Sequence, residues 1–252
     1  MRKLVMGDIH GAYKALKQCL EKSAFDYEND QLIQLGDIVD GYPQSFECVE
    51  ELLKIKHLIA LKGNHDDWFL EFAETDFQPY SWNYGGKATL SSYLEHVGKS
   101  TRSFLKGIGY KSALEAKDIP ASHKAFFSNQ KPYYIDDEQR CFVHAGFDTT
   151  MPFFEQESEV YYWDRTLWQY ALNCQEYDEQ FSIKTDFKEI FIGHTPTTKS
   201  NSDQPMNIFN VHNLDTGAGK TGRLTIMDID TKQYWQSDAL PPLYPGEMGR
   251  NG

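Results

Sequence analysis

Short apolar runs and helical spacings alternate along the first third of the chain. Leu4–Ile9 reads as a strand, and Tyr13–Lys22 follows with helical spacing through Ala15, Leu16, Cys19 and Leu20. Leu32–Leu35 reads as the next strand, Phe46–Ile55 as a helix, His57–Leu61 as a third strand, and a helix begins at about Asp66. This order predicts a sheet with helices packed on it. From Phe77 to Gln130 the pattern changes: the segment is rich in Tyr, Gly, Ser and Lys, mostly helical or irregular, and reads as an insertion or cap. Strand patterns return at Tyr133–Ile135, Arg140–His144, Glu189–Ile192, Ile208–Val211, Arg223–Ile229 and Gln233–Gln236, with a hairpin turn at Asp228–Lys232. Two strand-rich halves around a helical insertion at about 77–130 predict one α/β domain over residues 1–240. The Pro and Gly content of 241–252 predicts a loose tail.

Composition narrows the function. A chain of 252 residues buries a core without disulfides or structural metal. Its formal net charge of −12 argues against a nucleic-acid scaffold, which needs a basic face. The span Lys87–Lys131 runs the other way, with eight Lys and Arg against three Asp and Glu. It reads as a set of solvated helix faces or, alternatively, as a basic flap that steers anions. The cysteines, Cys19, Cys48, Cys141 and Cys174, are scattered without a CxxC pair, as expected of free thiols in a reducing compartment. No signal-peptide pattern follows Arg2-Lys3, and no apolar run approaches the roughly 18–20 residues that span a bilayer. A cytoplasmic protein without a membrane partner is expected.

The chemistry sits where the strand patterns stop. The first strand leads into Gly7-Asp8-Ile9-His10-Gly11, the second into Gly36-Asp37-Ile38-Val39-Asp40-Gly41, and the third into Gly63-Asn64-His65-Asp66. Two later strands lead into His144-Ala145-Gly146 and Gly193-His194-Thr195. Ligands of open α/β sheets bind beyond the carboxyl ends of strands, so these clusters should converge. Carboxylates, an amide oxygen and imidazoles suit a pair of metal ions, with Asp37 able to bridge them. Asp8 and His10, two apart, would point the same way on an extended strand. Two metals roughly 3.5–4 Å apart can activate water and clamp a phosphoryl displacement. Any one of these motifs alone is an ordinary turn; the set in order is not.

Together, Asp8-x-His10, Gly36-Asp37-x-x-Asp40, Gly63-Asn64-His65-Asp66, His144 and Gly193-His194 resemble the signature blocks of the calcineurin-like metallophosphatases. The resemblance implies a four-layer α-β-β-α sandwich of two mixed sheets. It implies that Asp8 and His10 bind one metal, that Asp37 bridges, and that Asn64, His144 and His194 bind the second. It further implies a metal-bridging hydroxide as nucleophile, His65 as the general acid and Asp40 as the group that orients it. Manganese is the first expectation, and the mixed N/O donors also admit iron, zinc or cobalt, divalent or trivalent.

Pro196 stands where phosphodiesterase branches carry a second histidine, which points to the phosphoprotein phosphatase branch and its relatives, the symmetrical dinucleoside tetraphosphatases. Tyr162-Trp163-Asp164-Arg165 resembles the segment that supplies a phosphate-gripping arginine there; a surface ion pair is the plainer role for Arg165. One departure stands out. Gly41 occupies the position after Asp40 where the family pattern has a second phosphate-gripping arginine. Lys87, beside Gly85-Gly86, is a candidate substitute, and Tyr80, Trp82 and Tyr84 before it form either an aromatic wall for a base or phenol ring or a local apolar cluster. Tyr161, Tyr162, Trp163 and Trp168 read as core or interface residues. The expected activity is therefore phosphomonoester hydrolysis on a phosphorylated protein or small phosphate ester. Dinucleoside tetraphosphate hydrolysis is the alternative. A non-catalytic metal-binding regulator would show a broken ligand set or a lost His65, and neither is present.

Overall fold

β1 (Lys3–Met6) alternates its side chains as extended backbone must: Leu4 and Met6 enter one apolar cluster and Val5 another. α1 (Tyr13–Lys22) lays Ala15, Leu16, Cys19 and Leu20 against the first of these clusters. β2 (Gln31–Gln34), α2 (Ser45–Leu52), β3 (His57–Ala60) and α3 (Asn64–Thr75) continue the alternation, with β1, β2 and β3 parallel. The computed structural model describes residues 1–78, 82, 84–102, 104–106, 109–175 and 182–251, with the backbone alone at 104–106 and 109–111.

The middle segment supplies α4 (Gly86–His96), a hairpin of β4 (Phe104–Lys106) and β5 (Gly109–Lys111), and α5 (Ala121–Ser128). After it come β6 (Tyr133–Ile135), β7 (Arg140–Val143), α6 (Val160–Trp163), α7 (Thr166–Asn173) and β8 (Glu189–Ile192). β9 (Met206–Ile208), β10 (Val211–Asn213), β11 (Thr225–Asp228), β12 (Tyr234–Gln236) and α8 (Leu240–Leu243) complete the order. One five-stranded sheet runs β12-β11-β1-β2-β3 and the other β6-β7-β8-β10-β9, and both mix parallel and antiparallel pairs.

Strand alternation builds the layers. Val5, Ile33, Phe142, Phe191 and Met227 form the cluster between the sheets, with Phe142 and Phe191 stacked at 4.9 Å. Cys141, Val143, Ile190 and Ile192 face the other way, onto Leu167, Trp168 and Ala171 of α7. The result is helices, sheet, sheet, helices. Each fully buried large aliphatic or aromatic side chain contributes roughly 1.5–3 kcal/mol through burial. All four cysteines are buried free thiols. No helix among the described residues is long and apolar enough to cross a membrane.

Several boundaries differ from the sequence reading. The run Ile208–Val211 is broken into β9 and β10, because Phe209 takes φ 54° and the chain turns back antiparallel on itself. α3 begins at Asn64, two residues before the expected start, with Asp66 accepting the Gly63 N–H as one half of a capping box. In the middle segment, Lys99 and Lys117 are drawn onto Glu115, and Lys99 also onto Asp118. Those two lysines are therefore neutralised locally. The segment expected as a loose tail is packed. Leu240 and Tyr244 are buried, the Tyr244 hydroxyl accepts the Lys14 N–H at 2.8 Å, and the Arg250 N–H donates to the Gly219 carbonyl at 2.8 Å. Apolar anchors on either side of the prolines outweigh the local composition.

Glu51 of α2 provides a test of the packing. Burial raises its carboxyl, but hydrogen bonds from Lys17, Lys54 and Tyr27 outweigh this and hold it at about 2 against an ordinary 4.5. A depressed folded-state value means stability is fully present above pH 4.5 and drains as pH falls toward 2. Glu51→Gln should be less stable at neutral pH and show a flatter loss across that window, read from urea midpoints. An unchanged acid slope in the variant would remove Glu51 from the account.

Candidate dinuclear metal centre

The parallel strands of the two sheets end at one rim, and the polar clusters follow those ends. Asp8 and His10 follow β1, Asp37 and Asp40 follow β2, Asn64 and His65 open α3 after β3, His144 follows β7, and His194 follows β8. His10, Asp37, Asp40 and His194 have φ of 52°, 55°, 68° and 65°, the left-handed region that costs non-glycine residues of order 1–3 kcal/mol. This turn, rather than strand alternation, brings Asp8 and His10 to the same side, since β1 ends at Met6. Two glycines make the approach possible. A Cβ on Gly63 would overlap the Asp37 carboxylate, and one on Gly193 would overlap that of Asp8.

Two sets of donors result, Asp8-His10-Asp37 and Asp37-His144-His194, each with its ligand atoms within 4.8 Å of one another. Asp37 belongs to both. Its Oδ2 lies 3.6 Å from His10 Nε2 and its Oδ1 3.4 Å from His144 Nε2. The Asn64 side-chain oxygen lies 3.4 Å from His144 Nε2. The imidazoles are oriented from behind: His10 Nδ1 donates to the Val39 carbonyl at 3.0 Å and His144 Nδ1 to the Leu35 carbonyl at 2.7 Å. Each Nε2 lone pair therefore faces the donor set, the arrangement that metal-binding histidines adopt.

These residues fit a pair of metal ions. His10 Nε2, Asp37 Oδ2 and both ring nitrogens of His194 are buried without a hydrogen-bond partner, a costly condition that cation binding relieves. Burial, then the Asp215 carboxylate, pushes the Asp8 carboxyl well up, while burial pushes His10 and His194 well down. His10 and His194 are thus held neutral, whereas for His144 burial is outweighed by the Asp37 carboxylate, which pushes the imidazole up to about 9: the carboxylates there draw positive charge. Asp215 sits beside it, buried, with its Oδ2 likewise unpartnered.

His65 stands next to the donors. Its N–H donates to Asp37 Oδ1 at 3.0 Å and its Nδ1 meets Asp40 Oδ2 at 2.8 Å. Arg250 Nη1 lies 2.9 Å from His65 Nε2. A guanidinium only donates, so Nε2 accepts and the ring proton is on Nδ1, facing Asp40. Asp40 is fixed in turn: Trp82 Nε1 donates to its Oδ2 and Thr89 Oγ1 to its Oδ1, both at 2.7 Å. Asp66 ties the loops together, accepting from Ile38 N and Gln130 Nε2 at 2.8 Å each. Arg165 donates to Thr195 Oγ1 at 2.8 Å. In front of these groups lies a cleft of about 570 Å³ lined by Asn64, His65, Trp68, Tyr84, Trp163, Arg165, Lys220, Arg250 and Asn251.

The residues singled out in the sequence thus come together at one place. Others were not foreseen. Trp82 is buried in the apolar cluster, as the second of the two readings has it, and also holds Asp40; Tyr84 lines the cleft, and Tyr80 lies outside the described residues. Trp163, read as core or interface, is 41% exposed at the cleft, 5.4 Å from Trp68. The cleft has Arg250, not Lys87, among its cations. The glycine after Asp40 was the available signal that a cation had to come from elsewhere, but it does not say from where.

Comparison with known proteins agrees with this geometry. A serine/threonine-protein phosphatase 1 of Salmonella typhimurium is 26% identical over 89% of this chain and 90% of its own length. A symmetrical bis(5'-nucleosyl)-tetraphosphatase of Pseudomonas fluorescens is 24% identical over 96% of each. The solved structure of a cold-active protein-tyrosine phosphatase from Shewanella superposes with a TM-score of 0.57 at 13% identity, covering 94% of this chain and 80% of the other, which speaks to the fold. The family model for calcineurin-like phosphoesterases matches residues 1–216, a span that holds every candidate metal donor described above, and the chain belongs to that family.

Proposed function

We propose that the protein hydrolyses phosphomonoesters at a two-metal centre, acting on phosphorylated protein or a small phosphate ester. The observation that carries this reading is the pair of donor sets sharing Asp37 beside the His65–Asp40 pair, with Asn64 and His65 lining the adjoining cleft. Asp8, His10 and Asp37 would hold one ion, and Asp37, Asn64, His144 and His194 the other, with manganese first and iron, zinc or cobalt compatible. Bound there, the ions supply Lewis-acid polarisation and an activated water. The chain's own residues do the rest. For His65 to deliver a proton to the departing oxygen from Nε2, Arg250 must leave that nitrogen for the phosphate and the ring must take up a proton from solvent; Asp40 keeps the ring aimed and favours the imidazolium. Arg165 offers a guanidinium to the phosphate from across the cleft.

A second reading is favoured by the aromatic faces of Trp68, Trp163 and Tyr84 beside Arg165, Lys220 and Arg250, which suit bases joined by a phosphate chain. The two readings separate on products. With manganese, p-nitrophenyl phosphate and a phosphoserine peptide should release phosphate, and the metal-stripped protein should not. Diadenosine tetraphosphate cleaved faster than both, with ADP as the nucleotide product, would move the assignment to the second reading. Metal-dependent turnover of none of them would overturn both.

A further inference from the structure

Arg250 lies beyond the residues that match the family and 185 positions from His65, yet its guanidinium sits against the imidazole. Its surroundings are unlike those of the other buried or half-buried arginines. Arg2 pairs with Asp30, Arg140 with Asp136, and Arg223 with Asp203. Among the described residues, Arg165, Lys220 and Arg250 pair with no carboxylate, although the protein carries a net charge of −12 and the three line one cleft. Unneutralised cations gathered in the cleft of an acidic protein indicate an anionic ligand.

Arg250 packs against two glycines that also make room for His10. A Cβ on Gly219 would lie 2.5 Å from His10 Cδ2 and 3.0 Å from Arg250 Nε, and one on Gly41 would lie 3.1 Å from the His10 carbonyl oxygen and 3.4 Å from Arg250 Cγ. Arg250 therefore lies beside the position that follows Asp40. The carboxyl terminus is anchored there. Tyr244 packs at 4.7 Å on Tyr42, its hydroxyl donates to Gln44 Oε1, and the Arg250 backbone is pinned on Gly219. Only Nη1 is committed to His65. The guanidinium has further N–H donors in its plane, and that fork matches two phosphate oxygens.

We propose that Arg250, opposite Arg165, grips the phosphate of the substrate, so that the last turn of the chain completes the binding site. This rests on the phosphoester reading above. It identifies the carrier of the contact that Gly41 cannot make.

The test is inorganic phosphate binding to the manganese-loaded protein by calorimetry, alongside KM and kcat for p-nitrophenyl phosphate. Arg250→Ala should weaken phosphate binding by roughly 10–100-fold, the range for a lost charged hydrogen bond, with metal content unchanged. Arg250→Lys should recover part of the loss, and added guanidinium should rescue Arg250→Ala but not the parent protein. Met248→Ala, at a 59% exposed position of the same tail, should bind phosphate normally. Thermal melting of each variant separates loss of the contact from loss of the fold. Phosphate binding by Arg250→Ala equal to the parent's, or no phosphate binding by the parent, overturns the proposal. Arg250-dependent phosphate binding without hydrolysis of any ester would leave it standing while sinking the phosphatase reading.

Discussion

Asp37→Asn should abolish turnover and the second metal together. Asp37 is the residue common to both donor sets, with one oxygen toward His10 and the other toward His144. Asparagine keeps the shape and can still accept the His65 N–H, a bond of 3.0 Å in the parent, but it loses the charge and one acceptor. Removing a partner that merely orients a ligand costs roughly 10–100-fold in metal affinity or activity, and a shared ligand should cost more than the upper end of that range. Two measurements check this: metal content by mass spectrometry, and turnover of p-nitrophenyl phosphate with manganese. A third separates ligation from folding. Ions that bind the native state stabilise it by about 2.7 kcal/mol at a hundredfold excess over Kd, so the parent should melt higher with manganese. The variant should melt near the stripped parent and gain little from added ion. Two tightly held ions and full turnover in Asp37→Asn would dismiss the shared-ligand role.

What could be read in the sequence was whatever depends on local pattern. Strand alternation gave the two-sided burial of β1, β2, β7 and β8, and the strand ends located Asp8, Asp37, Asn64, His144 and His194, because a parallel strand of four residues must stop close to its last apolar side chain. What could not be read depends on pairs far apart in the chain. Trp82 reaches Asp40 across 42 positions and Arg250 reaches His65 across 185, and no spacing rule connects either pair. The tail was misjudged for the same reason: proline and glycine report backbone preference, whereas Tyr244 is held by Lys14 and Gln44 on other elements. The turn at Phe209 was hidden because a phenylalanine with positive φ carries no sequence mark, unlike a glycine. His10 and Asp37 were singled out as candidate donors, but the left-handed turns that aim them were not foreseen, since strain of this kind is imposed by the surrounding fold.

The organisation around Asp40 gives the second large expectation. His65→Ala should slow hydrolysis of a phosphate ester with a poor leaving group, such as an alkyl phosphate, by roughly 10²–10⁴-fold, the usual range for a lost general acid. The loss on p-nitrophenyl phosphate should be much smaller, since that phenolate departs without a proton. Metal content should stay the same, because neither His65 nor Asp40 belongs to the donor sets. Asp40→Asn should follow His65→Ala in direction for an electrostatic reason. Among the described residues, His65 and Trp82 converge on Oδ2 while Thr89 donates to Oδ1. An amide oxygen at the Oδ2 place can keep the first two, and its NH₂ can donate to the Thr89 hydroxyl, which accepts once turned. What is lost is the negative charge that favours the imidazolium. If His65→Ala slowed both esters equally, the residue would be binding phosphate and not protonating the leaving oxygen. If it slowed neither, the proton would have to come from another group in the cleft, and the His65–Asp40 pair would be structural.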